Sequence, residues 1–208
     1  MIIVLLDHDS QNMALIVFEG RDGSGKSALI ERLRKRLGDV AITTADPRGT
    51  ALGQHLLSLL GQRDELELFI KARCELVDTV IGPALKRGEL VLCDRYIDST
   101  YAYQVAGSGY SRERVDAENA AFPKADATFV IFCPEREIEA RLSRKEKDVI
   151  EKRGVDYFKR VDDEYTNRAR QFGYVALDGL ESIDTNVERV VEHLRQTGLV
   201  DLNLMTCA

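Results

Sequence analysis

An octapeptide, Gly20-Arg21-Asp22-Gly23-Ser24-Gly25-Lys26-Ser27, lies between an apolar, β-branched run at 14–18 and a helical pattern at 26–37, and it leaves few folds open to this chain. It satisfies G-x-x-x-x-G-K-[ST], and the strand before it and helix after it are the context that gives the pattern meaning. The glycines let the backbone curl so that successive N–H groups face one centre, to which the following helix adds its positive end. All eight residues are therefore read as a segment binding the phosphates of ATP, with Lys26 reaching the β- and γ-phosphates and Ser27 holding Mg²⁺. A guanine-reading N-K-x-D tetrapeptide does not occur in the sequence.

The rest of the chain alternates short β-branched runs with longer helical patterns. Further strands are expected at 40–44, 90–94, 128–133 and 174–177, each separated by enough residues for a helical crossover. That pattern predicts an α/β fold of the P-loop NTPase type: a doubly wound parallel sheet of about five strands with helices on both faces. A long helix is expected over 65–86, ending before Gly88 and kinked at Pro83, and a last amphipathic helix over 184–196. With 208 residues and no linker-like tract, a single domain is expected, with 1–12 a short extension.

Composition narrows the function. A net charge of −6 argues against a protein that coats nucleic acid, so any anion site must be local. The apolar run at 2–6 is cut short by Asp7, too soon for a membrane span, and the four scattered cysteines form no C-x-x-C pair, which reads as reduced cytoplasmic thiols.

In open parallel sheets, ligands bind beyond the carboxyl ends of the strands. Asp94 ends the apolar run 90–93, where its carboxylate could face Mg²⁺, and Arg95 could clamp an acceptor phosphate; a surface ion pair between them is the plain alternative. Phe69 and Arg73 are four positions apart in the long helix, so they could meet one base, or be a core aromatic with an arginine stem beside it. The charged stretch 136–160, which includes Arg141 and Arg144, is either catalytic or a solvated helix face.

Taken in order, these residues resemble the thymidylate kinase family. The segments that carry the resemblance are Phe18-Glu19-Gly20 through Ser27, Asp46-Pro47 with Gly49-Thr50, Leu68-Phe69 to Arg73, Asp94-Arg95-Tyr96 with Ser99-Thr100, Ala102-Tyr103-Gln104, and Asp148, Ile150 and Glu151 with Asp156-Tyr157-Phe158. The resemblance implies transfer of the γ-phosphoryl group of MgATP to dTMP, a mobile lid at about 136–160, and a homodimer. It also implies an acceptor site made of Asp46, Phe69 stacked on the base, Arg73, Arg95, Thr100, Tyr103 and Gln104. Lys26, Asp94, Arg95, Arg141 and Arg144 are then the catalytic set, with Ser27 and Asp94 the residues at the metal. The chain departs from the family pattern at Ala45, where many relatives have Arg, and at Arg48, where a Gly is common. Those differences leave open another acceptor such as dUMP, or an ATP-binding regulator without turnover.

Overall fold

The structure, a computed structural model, describes residues 13–61, 63–143 and 149–200. The extension at 1–12, the tail at 202–208 and Arg144 thus lie outside the described residues. Five strands, β1 (Ala14–Glu19), β2 (Ala41–Ala45), β3 (Leu90–Asp94), β4 (Ala127–Phe132) and β5 (Val175–Asp178), form one sheet in the order β2-β3-β1-β4-β5. Every pairing is parallel. Each strand lies within one residue of its expected span, so the expected doubly wound sheet is present.

The period of two along β1 sorts its side chains between two cores. Ile16 and Phe18 join Phe129 and Ile131 under α1 (Lys26–Leu37) and α9 (Ile183–Gln196), where Leu29, Leu33, Val190 and Leu194 complete the layer. Leu15 and Val17 face the other way, onto Leu76, Ile81 and Ala84 of the long helical element. A strand buried on both sides needs apolar residues throughout, which is why 14–18 carries no alternation.

The long element at 65–86 has three parts. These are α3 (Glu65–Leu76), capped by the Asp64 side chain accepting from Glu67 N–H, a π-helical turn at Val77–Ile81, and α4 (Gly82–Lys86). The expected disturbance at Pro83 appears as that widened turn just upstream, because proline cannot donate to the preceding turn.

Beyond β3 come α5 (Ile97–Thr100), a second π-helical stretch at Tyr101–Gly107 and α6 (Arg112–Asn119); α2 (Ala51–Leu57) follows β2. The charged stretch at 136–160 resolves into α7 (Glu135–Leu142), a 3₁₀ turn at Glu151–Arg153 and the start of α8 (Val155–Phe172). Its charges hid α8 from the sequence reading; the buried line Tyr157, Val161, Tyr165, four residues apart, is what makes it a helix. Arg153 bonds Glu65 and Ser108, and Arg160 donates to the Ala106 and Gly107 carbonyls, so both fasten this region to the π-helical stretch. No helix among the described residues is long and apolar enough to cross a membrane.

Leu33 is completely buried between α1 and the sheet. Leu33→Ala should lower the unfolding free energy by about 2–5 kcal/mol. Urea titration would register this as a lower midpoint at unchanged slope.

Candidate active site

The loop between β1 and α1 takes its shape from glycine. Gly20 and Gly25 have φ of 130° and 105°, and a Cβ on Gly20 would lie 2.6 Å from the Ile131 carbonyl oxygen. No side chain caps the first turn of α1, which leaves its N–H groups for an anion. Lys26 is buried, and its Nζ donates to the Gly20 and Arg21 carbonyls at 2.9 and 2.8 Å. Burial, helped by the nearby Arg95 cation, pushes the Lys26 ammonium down to about 8, so it stays charged at neutral pH.

Ser27 Oγ donates to Asp94 Oδ2 at 2.8 Å, joining the start of α1 to the end of β3. Asp94 Oδ1 is buried and has no hydrogen-bond partner among the described residues. A hydroxyl and an unmatched carboxylate oxygen side by side are hard oxygen donors, the kind that fit a divalent cation which otherwise relies on substrate oxygens and water. Asp94 and Arg95 do not pair with each other, so the surface ion pair weighed from sequence is replaced by two separate connections.

Arg95 takes the second connection. Its φ of 68° is unusual for a residue with a side chain. Nη2 donates to Asp22 Oδ1 at 2.9 Å and to the Tyr103 hydroxyl at 3.1 Å. Asp22 belongs to the phosphate loop, so this bond ties the loop to β3. The cation of Arg95 first, then those of Lys26 and Arg48, hold the Asp22 carboxyl well below the usual carboxylate range.

All seven acceptor residues expected from the resemblance line one cavity of about 80 Å³. It adjoins a void of about 340 Å³ against α7 and α8, with Asp22, Tyr103 and Ile150 lining both. Phe69 is half-buried at the cavity wall, so it is not the core aromatic of the plain alternative. Gln104 is 2% exposed, and its Nε2 has no partner among the described residues. Arg73, 1% exposed, is mostly committed: Nε donates to Asp46 Oδ2 at 2.6 Å, Nη1 to Asn119 Oδ1, and Nη2 to Tyr96 O and Thr100 Oγ1. Its main work in this structure is to brace the cavity wall, with one Nη1 hydrogen left over.

Comparison with known proteins bears on the family. The thymidylate kinase family model matches residues 18–190. A thymidylate kinase of Thermosipho melanesiensis is 36% identical over 194 residues, covering 85% of this chain and 96% of the relative. One of Cupriavidus taiwanensis is 40% identical over 171 residues, covering 75% and 84%. The crystal structure of thymidylate kinase from Ehrlichia chaffeensis superposes with a TM-score of 0.69 at 27% identity, covering 87% of this chain and 98% of that one. The chain belongs to the thymidylate kinase family.

Two residues of the expected site sit differently from the simple reading. The Arg21 main chain is part of the loop, but its side chain leaves it, bonding Glu135 and Asp162 and stacking on Phe158 at 4.1 Å, so its charge is spent on α7 and α8. Arg141 donates to the Gly23 carbonyl at 3.1 Å and the Gly179 carbonyl at 2.8 Å, which puts it in a separate cavity of about 270 Å³ lined also by Ser24, Gly25 and Ile183. That places Arg141 on the flank of the loop, not between Lys26 and Arg95. Of the two departures from the family pattern, Arg48 lines the acceptor cavity and Ala45 lies beside Ser27 and Asp94.

Sequence reasoning assigned no role to Glu19, Asn119 or Tyr165. Glu19 left a signal, a carboxylate closing an apolar strand where burial demands a partner. Tyr165 left a fainter one, its place four residues after Val161 on the inner line of α8.

Arg73→Met should destabilise the protein by about 3–5 kcal/mol, because the Asp46 carboxylate would stay buried without its cation. Arg73→Met combined with Asp46→Asn should recover part of that loss in the same denaturant titration.

Proposed function

We propose that the protein transfers the γ-phosphoryl group of MgATP to dTMP, giving dTDP for deoxynucleotide synthesis in the cytoplasm. The observation that carries this reading is Asp22, which belongs to the ATP loop and is ion-paired with Arg95 in the wall of the acceptor cavity. ATP lies with its phosphates in the loop and its adenosine end toward Arg141 and Ile183. dTMP lies with its base on Phe69, and the unmatched Gln104 amide meets a polar edge of that base.

Phosphoryl transfer asks for alignment and for positive charge around the moving group. Lys26 exchanges its two carbonyl partners for the β- and γ-phosphates. Arg95 exchanges Asp22 for the acceptor phosphate, and Arg48, across the same cavity, supplies a second guanidinium where Ala45 has none to offer. Ser27 and Asp94 are the residues that would hold Mg²⁺, which when bound neutralises the β- and γ-phosphate oxygens. Arg141 fixes the donor nucleotide from the loop's flank. A thymine methyl contributes only about 1–3 kcal/mol of preference over uracil, so dUMP is the acceptor to compare first.

The test is ADP release from MgATP in the presence of a panel of nucleosides and deoxynucleoside monophosphates. Stimulation strongest with dTMP supports the reading; stimulation by nucleosides without phosphate, or none by any acceptor, would contradict it. Arg95→Ala should reduce kcat/KM for dTMP by about 10³-fold or more, with KM for ATP nearly unchanged. Chelation by EDTA should abolish turnover, Mg²⁺ should restore it, and Asp94→Asn should raise the Mg²⁺ concentration needed.

A further inference from the structure

We propose that Glu19 is the positioning residue for phosphoryl transfer, fixing which edge of the Arg95 guanidinium faces the acceptor phosphate. The inference rests on the role given to Arg95 above. Glu19 is fully buried at the end of β1, directly beneath the turn that follows β3, and each of its carboxylate oxygens has a separate task. Oε1 accepts the backbone N–H of Tyr96 at 2.9 Å and of Ser99 at 3.1 Å, which holds the turn carrying the positive φ of Arg95. Oε2 accepts the hydroxyls of Ser99 at 2.6 Å and Tyr165 at 2.9 Å.

The donor count makes the second task directional. Ser99 and Tyr165 each own one hydroxyl proton; with both given to Glu19, their 2.9 Å contact with each other carries none, and the remaining lone pairs of the two oxygens are open to an outside donor. Arg95 Nη1 donates to those same two oxygens, at 3.1 and 3.2 Å, using both its hydrogens. The inner side of the guanidinium is thus saturated by the scaffold. Nη2, whose hydrogens are held by Asp22 and Tyr103, becomes the side that can be handed to a ligand. Burial is the main force pushing the Glu19 carboxyl up, to about 7; the nearby Asp98 carboxylate adds to it and the Arg95 cation opposes it.

Glu19→Gln separates the two tasks. The amide oxygen can still accept both backbone N–H groups, so the turn is kept. The NH₂ group, in place of Oε2, donates toward Ser99 and Tyr165; one hydroxyl proton then turns to the other oxygen across their 2.9 Å contact, and the second is left on the side where Arg95 Nη1 donates. The expected result is a thermal midpoint close to that of the unmodified protein, KM for dTMP raised about tenfold or more and KM for ATP within about twofold. In an Arg95→Ala background the same substitution should add nothing, because the residue through which it acts is gone.

Two outcomes overturn the proposal: an unchanged KM for dTMP in Glu19→Gln, or losses that multiply with those of Arg95→Ala. If Glu19→Gln does not fold, Ser99→Ala with Tyr165→Phe removes the relay while leaving Oε1 and the turn intact. The same selective rise in KM for dTMP is expected of that pair, and its absence overturns the proposal equally. Arg95→Ala by itself distinguishes the two levels. If it leaves acceptor kinetics unchanged, the role of Arg95 fails; if it raises KM and the Glu19 and relay variants do not, only the relay fails.

Discussion

The ion pair between Asp22 and Arg95 sets the geometry of everything around it. Asp22 sits in a loop whose backbone is shaped for phosphate, and Arg95, just past the end of β3, itself lines the neighbouring cavity. Neither charge is free to drift: Arg95 is anchored on its inner side by Ser99 and Tyr165, and the Arg95 and Lys26 cations hold the Asp22 carboxyl ionised. In the proposed reaction the negative charge of two nucleotides takes the place of Asp22 beside Arg95 and of the two carbonyls beside Lys26.

The sheet makes that convergence unavoidable. The register pairs Phe18 with Asp94, so the residues following β1 and β3 emerge side by side, one strand supplying the loop and the other Asp94 and Arg95. β2, paired to β3 through Ala45 and Asp94, delivers the 46–50 turn to the same edge. The carboxyl ends of three adjacent strands, in the order β2-β3-β1, thus feed one crevice.

Much of this was legible in the amino-acid string because local rules and tertiary structure agree there. Short β-branched apolar runs spaced by helical patterns read as buried parallel strands, and the glycines, Lys26 and Ser27 of the loop octapeptide each have a mechanism. The seven residues that line the cavity of about 80 Å³ were grouped through family resemblance, since Phe69 and Arg73 alone allowed two readings. What sequence could not supply was direction. Arg21 and Arg141 are both arginines beside the loop, yet one turns to Glu135 and Asp162 and the other to the Gly23 and Gly179 carbonyls. The Glu19 relay joins residues up to 146 positions apart, a distance at which periodicity carries no information. The widened turn at Val77–Ile81 answers to Pro83, whereas that at Tyr101–Gly107 has no proline or other local breaker to announce it.

In the proposed reaction, donor and acceptor phosphates meet between Lys26 and Arg95. A crystal structure with a bisubstrate analogue, adenosine and thymidine joined through a polyphosphate chain, tests this. The expected result is one analogue spanning both cavities, its chain against Lys26, the thymidine-end phosphate on Arg95 Nη2, and Asp22 released from that guanidinium. An analogue bound by its adenosine end alone, with the Asp22–Arg95 pair intact and thymidine in solvent, would contradict it.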